Sequence, residues 1–376
     1  MNPFPSVILC GSPHVGKSTL ACALTRALRE TEIAHYVLRA APDGEGDWAC
    51  DAPPVVVRQI RQKSAWSDSW VDAMCHDIAR RHLPLLVDMG GRPTPDQERI
   101  LDQCGHAILL TRDPAEHAEW TAVAARHNLT LLADLRSDLN GADALDPASD
   151  ASCLRGALSV PARGGSPRGP VFEALVPRLA ALFQFHEADL LKQHLAAAPW
   201  PDGHVRLVNV DALKRSFGAG RPRPEFRPED IPLILAGIPA GAPIALYGRL
   251  WGPLALALSV HADVRWLFAP NLGWVAPAST RPEASPRLAN EWLVLDLVNR
   301  GAGRAMLNVT LRDPYLPYEA LRQVAIPSLA AGTELEISGK IPMWLLCGLG
   351  AAYRHCQSVS VFDPRAARVS PSNDDH

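Results

Sequence analysis

The chain has 376 residues, with 37 basic and 40 acidic side chains and a formal net charge of −3. At ~150 residues per domain the length predicts two or three domains, and a share of 47% apolar and 20% charged residues excludes a disordered chain. The near-neutral charge argues against binding to long nucleic acid, and no apolar run approaches the ~18 residues of a membrane span. No basic stretch precedes the first apolar run, so we expect a cytoplasmic protein whose cysteines are reduced thiols.

The first element in chain order is an apolar strand that leads into a glycine-rich loop. Residues 7–10 are followed by GSPHVGKST at 11–19 and then by a stretch typical of a helix. The pattern GxxxxGK[ST] lets backbone N–H groups surround a phosphate, while the lysine neutralises the β- and γ-phosphates. It predicts a site for ATP or GTP made by Gly11, Gly16, Lys17, Ser18 and Thr19, with Mg²⁺ on the Ser18 hydroxyl.

A second strand supplies an acidic partner for this loop. The segment HLPLLVDMGG at 82–91 reads as a buried strand that ends at Asp88. Asp88 is expected beside Ser18, where it would hold Mg²⁺ directly or through water. The alternative is an aspartate that only caps the turn after the strand. Arg92 follows, either as a phosphate ligand or as a surface arginine.

An acidic, glycine-rich loop follows a strand predicted at 35–39. Asp43, Glu45 and Asp47 could bind a second metal, orient water or receive a phosphoryl acceptor. A solvated turn is the alternative, since Pro-Asp-Gly favours turns without any ligand.

The remaining N-terminal elements complete a predicted parallel sheet in three layers, a P-loop NTPase domain over 1–197. Such a sheet binds its ligand beyond the carboxyl ends of its strands, where the glycine loop, Arg39 and Asp88 all fall. Further strands are predicted at 107–110 and 129–133, and helices at 66–82, 114–127 and 171–195.

The C-terminal half contains two degenerate copies of a small α/β unit, at 203–280 and 288–370, before a polar tail at 371–376. Each copy reads as strand, helix, strand, helix, strand. In each, the middle strand ends at glycine plus a basic residue (Arg249, Lys340), and a histidine (His261, His355) precedes Phe-x-Pro at the same spacing.

Segments in both halves resemble a known family. ISGKIPMWL at 337–345, YRH at 353–355 and VSVFDPR at 359–365 resemble the third family of CRISPR ring nucleases, and RAAPDGEGDW, LVDMGG and HAILLTRDP resemble the AAA-type P-loop domain to which some members are fused. The resemblance covers most of the chain. It implies a homo-oligomer that cleaves cyclic tetra-adenylate with Mn²⁺, and an essential pair that matches His355 and Asp363.

The chemistry of these side chains is compatible with phosphodiester cleavage. His355 can shuttle a proton near neutral pH, Asp363 can ligate a hard cation, and Lys340 or Arg365 can hold phosphate oxygens. A histidine that only caps or packs a helix end is the alternative. The first copy retains Arg249 and His261 but has Ala269 in place of Asp363 and Asn271 in place of Arg365, so we expect it mainly to bind the substrate.

The favoured function is therefore an ATP-binding ring nuclease of type III CRISPR defence. Two alternatives stay open. One is a P-loop phosphotransferase that acts on a nucleotide-like acceptor near Asp43 and Glu45. The other is a non-catalytic cyclic-oligoadenylate sensor whose assembly depends on ATP.

Overall fold

The structure, a computed structural model, describes residues 2–43, 47–60, 65–138, 141, 143–161, 165, 167–201, 203–221 and 225–365. Glu45 and the tail at 371–376 lie outside these ranges. The chain divides into two compact units: unit 1 contains the described residues up to Gln193 together with Pro364 and Arg365, and unit 2 contains His194–Asp363. Within the described ranges, no helix is both long enough and apolar enough to span a membrane.

Unit 1 is built on a sheet that is parallel except at one edge. Its described strands are β1 (Ser6–Cys10), β2 (Tyr36–Ala40), β3 (Leu85–Met89), β4 (His106–Thr111), β5 (Thr130–Asp138), β6 (Ala144–Leu145) and β7 (Leu154–Ser159). Their spatial order is β2-β3-β1-β4-β5-β7-β6, with β6 antiparallel to β7. Every residue of β1 and β3 is buried, as expected for strands covered on both faces. The prediction of an α/β fold with a parallel sheet is confirmed.

The helices of unit 1 differ from prediction in one place. They are α1 (Lys17–Glu30), α2 (Pro54–Ile60), α3 (Asp68–Ala79), α4 (Pro114–Arg126), α5 (Pro170–Phe183) and α6 (Glu187–Ala196), which continues past Gln193 into unit 2. A single helix over 171–195 is wrong, because Gln184 is extended and ends α5. The next residue, Phe185, packs its ring 5.1 Å from that of Phe4. Burial of this aromatic pair accompanies the break.

Two cysteines in unit 1 also depart from expectation. Cys22 in α1 and Cys50, at the end of a 3-10 turn over Asp47–Cys50, form a disulfide. Their Cα atoms lie 4.9 Å apart, within the range of about 4.4–6.8 Å that a disulfide requires. The prediction of eight reduced thiols is therefore wrong for this pair, whose proximity depends on the packing of distant segments. The other six cysteines are free thiols.

Unit 2 contains two larger sheets and a two-stranded pair. One sheet has β8 (Arg206–Asn209), β9 (Pro243–Tyr247), β10 (Asp263–Ala269) and β11 (Gly273–Val275). The pair consists of β12 (Ser279–Glu283) and β16 (Gln323–Pro327), and the second sheet of β13 (Arg287–Ala289), β14 (Leu293–Gly301), β15 (Arg304–Leu311), β17 (Glu334–Gly339) and β18 (Ser358–Val361). The helices are α7 (Val210–Gly218), α8 (Asp230–Ala236), α9 (Gly252–His261) and α10 (Met343–Ala352).

The two sheets repeat one arrangement. In the first copy β8, β9 and β10 are parallel neighbours, and in the second β15, β17 and β18 are parallel neighbours. The helix expected between β15 and β17 is wrong: that segment forms a 3-10 turn at Tyr318–Leu321 and then β16, which pairs with β12. Because Gln323–Pro327 pairs with β12, only the short 3-10 turn precedes that strand.

One hydrophobic core serves both copies. Leu254 and Leu258 from α9 belong to the same buried cluster as Leu345 and Leu349 from α10, together with inward residues of both sheets. The segments 203–280 and 288–363 therefore pack as one unit, and each copy depends on the other for burial of its apolar surface.

Candidate functional site

The predicted phosphate loop of unit 1 runs from the end of β1 to the start of α1. Gly16 has φ +89°, and a Cβ at this position would lie 2.3 Å from Val160 Cγ1. Only glycine fits that conformation and that space. Ser18 and Thr19 lie half-buried in the first turn of α1. Because the first N–H groups of a helix have no partner within it, this end of α1 is suited to an anion.

The Lys17 side chain lies inside the loop. Its Nζ donates hydrogen bonds of 2.6 Å to Gly11 O and 2.8 Å to Ser12 O, and the residue is only 6% exposed. Burial lowers the pKa of Lys17 to about 8, although Asp88 partly opposes the shift. The loop therefore holds a cation that has lost most of its hydration, as expected for a group that meets a phosphate.

Asp88 lies beside the loop, because β3 is the direct neighbour of β1. It is 4% exposed, and its Oδ2 lies 2.7 Å from Arg39 Nη1. The same Nη1 donates a 3.2 Å hydrogen bond to Ser18 Oγ. The other oxygen, Asp88 Oδ1, is buried and has no hydrogen-bond partner in the described part of the chain. The structure thus brings Ser18, Asp88 and Arg39 together.

These side chains fit a magnesium ion that is shared with a phosphate. Mg²⁺ prefers oxygen ligands and commonly takes one or two from the protein, with the rest from phosphates and water. The unpartnered Asp88 Oδ1 and the half-buried Ser18 hydroxyl are such ligands. Arg92, in contrast, lies in an exposed ion pair, with Nη2 2.5 Å from Glu119 Oε2.

In unit 2, the first copy contacts the predicted catalytic carboxylate of the second. Trp251 Nε1 donates a 2.6 Å hydrogen bond to Asp363 Oδ2, and the Trp251 ring stacks on Phe226 at 6.1 Å. Trp251 immediately precedes α9, two positions after Arg249. The backbone N–H of Arg249 lies 3.2 Å from both carboxylate oxygens of Asp211, and burial raises the pKa of that carboxyl.

The basic residue after each middle strand follows a glycine, Gly248 or Gly339, whose positive φ strains any other residue. Gly339 has φ +137°, and a Cβ there would lie 2.1 Å from Val309 O. It is followed by Lys340, whose Nζ donates a hydrogen bond of 3.3 Å to Pro314 O. Arg365 lies two positions beyond Asp363 and is half-buried.

The two histidines lie away from these groups. His261 ends α9 and has Nε2 2.6 Å from Ile238 O, whereas His355 has Nδ1 3.0 Å from Ala352 O and Nε2 3.1 Å from Leu329 O. Each histidine precedes the last parallel strand of its copy. His355 therefore lies before β18 and Asp363 after it, and this strand alone spans about 10 Å.

The predicted catalytic pair is consequently split between opposite edges of one sheet. Asp363, Lys340 and Arg249 follow carboxyl ends of strands, while His355 and His261 lie near amino ends. Across the described ranges no group of three or more His, Cys, Asp or Glu side chains could hold a metal. Among the described residues, Asp363 therefore does not belong to a cluster that could hold Mn²⁺.

Sequence reasoning missed the contacts of Arg39 and Trp251. Arg39 was placed only at a strand end, and Trp251 carried no signal beyond its position two residues after the Gly-Arg pair. Both contacts join residues that are distant in the chain, so no local pattern reveals them.

The second copy is similar to a known protein family. Residues 309–370 match the model of a family described as CRISPR-associated protein (Cas_csx3). The matched range includes Lys340, His355, Asp363 and Arg365. The match links the chain to CRISPR systems.

Proposed function

We propose that the protein is an ATP-binding ring nuclease of type III CRISPR defence that binds and cleaves cyclic tetra-adenylate. The observation that carries this proposal is the Cas_csx3 match over 309–370, which includes both residues of the expected catalytic pair. The first copy supports the site through Trp251, and unit 1 supplies the nucleotide site.

Ring opening requires three functions from the protein. An oxygen nucleophile attacks phosphorus, the bond to the leaving oxygen breaks, and a proton is given to that oxygen. His355 is the proton carrier in this scheme, while Lys340 holds the phosphate oxygens. Asp363, oriented by Trp251, would ligate a cation at the phosphate. Mn²⁺, when bound, would polarise the phosphate with Asp363 among its ligands, and the described residues offer no group of three or more His, Cys, Asp or Glu side chains to complete the set.

The split of His355 and Asp363 bears on how the site is assembled. Two groups at opposite edges of a sheet act on one phosphodiester only if a second chain supplies one of them. We therefore propose a homo-oligomer in which His355 of one chain meets Asp363 of another across a bound ring.

The nucleotide site of the proposal lies in unit 1. The loop that holds Lys17 would receive the β- and γ-phosphates of ATP, with Thr19 in the first turn of α1 beside them. Ser18 and Asp88 would hold Mg²⁺, whose charge offsets that of the phosphates.

The test is incubation of the full chain with cyclic tetra-adenylate, with and without ATP and Mn²⁺. Linear di-adenylate products are expected, and His355→Ala and Asp363→Ala should each lower the rate by ~100-fold or more. Arg287→Ala, a change at an exposed position of β13, is the control. Unchanged turnover in both site variants would remove the hydrolytic assignment.

The geometry also favours a second candidate, a sensor that binds the ring without cleaving it. His355 contacts two backbone carbonyl oxygens, which fits a histidine that only ends a helix. In the same experiment, tight binding of cyclic tetra-adenylate with no linear product under any condition would identify this function.

A further inference from the structure

Arg39 binds two carboxylates with two different edges of its guanidinium. Nη1 lies 2.7 Å from Asp88 Oδ2 and donates 3.2 Å to Ser18 Oγ. Nε and Nη2 donate hydrogen bonds of 3.0 Å and 2.6 Å to Asp43 Oδ2. The Arg39 side chain is 11% exposed and that of Asp43 7%, so the cluster is shielded from water. Arg39 reaches Asp88 because β2 is the neighbour of β3, and it reaches Asp43 because that residue follows four positions later in the chain.

The Nη1 edge lies against the Ser18 hydroxyl that a magnesium ion would use, and beside the Asp88 carboxylate whose other oxygen would be its second ligand. Mg²⁺ requires ligand oxygens at about 2.0–2.1 Å and repels other cations at that range. Arg39 Nη1 and Mg²⁺ therefore cannot both bind Ser18 Oγ. Binding of a magnesium nucleotide must displace Nη1, while the bonds from Nε and Nη2 to Asp43 are unaffected by the metal.

We propose that Arg39 is a phosphate-binding residue of the nucleotide site, held by Asp43 and directed at the terminal phosphate when Mg²⁺ occupies the Ser18 hydroxyl. The inference rests on the proposed ATP site. A cation so close to Ser18 meets the γ-phosphate and stabilises the charge that develops there during phosphoryl transfer. In that transfer the bond from the γ-phosphorus to the bridging oxygen breaks, and ADP leaves with the electron pair. A water or hydroxyl oxygen bonds to phosphorus and loses its proton to solvent.

The planar shape of arginine is essential to this role. A guanidinium presents two edges, so it can keep Asp43 on one edge and bind a phosphate with the other. A lysine in its place has one charged atom, which cannot stay with Asp43 and also reach the phosphate. Arg39→Lys should therefore fail although it conserves the charge.

The experiment compares ADP with ADP plus aluminium fluoride, a mimic of the transferred phosphoryl group, by calorimetry on the full chain with Mg²⁺. In the wild type, fluoride is expected to tighten binding strongly. Arg39→Ala and Arg39→Lys should lose about 100-fold or more of that tightening. Both should still bind ADP, and Arg39→Ala should need less Mg²⁺ for it, because the competitor for the Ser18 hydroxyl is gone. Asp43→Asn should lose part of the effect, and Arg92→Ala, in an exposed ion pair, should keep it.

The outcomes separate this inference from the proposed function. Full fluoride-dependent tightening in Arg39→Ala, with ADP still bound, would overturn the role of Arg39 and leave the nucleotide site standing. No binding of ADP or ATP to the wild type would overturn the nucleotide site itself, and the inference with it. ADP binding by the variants also reports that unit 1 is folded.

Discussion

The indole Nε1 of Trp251 donates a 2.6 Å hydrogen bond to Asp363 Oδ2. The two residues are 112 positions apart in the chain and belong to different copies of the repeat. Phe226 stacks on the Trp251 ring with an angle of 9° between the planes, which fixes the indole. The copy that lacks its own aspartate thus contacts and orients the aspartate of the other copy.

Trp251→Phe should impair cleavage while preserving the ring that packs on Phe226. Loss of the Trp251 donor removes one restraint on the Asp363 carboxylate, and a misplaced catalytic group costs about 10- to 100-fold in rate. The rate of cyclic tetra-adenylate cleavage and its binding should be measured separately, with binding expected to change little. Trp266→Phe is the matched control, since Trp266 lies in β10 and its ring centroid is 6.1 Å from that of Trp200. Equal rates for the two variants would contradict a positioning role for Trp251.

Gly339→Ala should destabilise unit 2 and displace Lys340. The new Cβ would lie 2.1 Å from Val309 O at a backbone φ of +137°. Clash and strain together should lower the free energy of unfolding by ~3 kcal/mol, measured by urea denaturation. Gly332→Ala is the matched control, because nothing lies within 4 Å of its Cβ and its φ is ordinary. Similar unfolding curves for both variants would show that the strand end tolerates a side chain.

Local patterns predicted much of the fold. The strand, the glycine loop and the start of α1 are consecutive in sequence, so their spacing alone predicted where the strand ends and the helix begins. Asp88 was found for the same reason, at the end of an apolar run followed by two glycines. Predictions failed where packing between distant segments determines the secondary structure. Examples are the end of α5 beside the contact of Phe185 with Phe4, and the strand β16, which needs β12 as its partner.

The candidate sites show the same division. The residues of the Gly-basic and Phe-x-Pro junctions could be read from the repeat, but their grouping could not. The separation of His355 and Asp363 was available in principle, since a strand was predicted between them. The bond from Trp251 to Asp363 and the bridge from Arg39 to Asp88 depend on tertiary contacts, which one sequence does not reveal.

Nucleotide binding should take up a proton at alkaline pH. Burial lowers the pKa of Lys17 to about 8 in the free protein, and bound phosphates should raise it again. Below pH 8 the ammonium is already charged, so no proton is exchanged. Above pH 8 the neutral amine must be protonated on binding, and affinity should fall by up to ~10-fold per pH unit. Calorimetry at pH 9 in two buffers with different ionisation enthalpies measures the uptake, with pH 7 as the control. Equal heats in both buffers at pH 9 would contradict the assignment of Lys17 to the phosphate site.

Mixing two inactive variants should restore ring cleavage. His355 precedes β18 and Asp363 follows it, so one chain does not bring them together. In a site shared by two chains, His355→Ala and Asp363→Ala each remove one contribution. If the variants mix at random, about a quarter of the shared sites carry both wild-type side chains. The cleavage rate of an equimolar mixture should rise toward that fraction of the wild-type rate. The double variant His355→Ala/Asp363→Ala, mixed with either single variant, should restore nothing. An inactive mixture that nonetheless forms mixed oligomers, as measured by mass spectrometry, would show that the two residues do not act in one shared site.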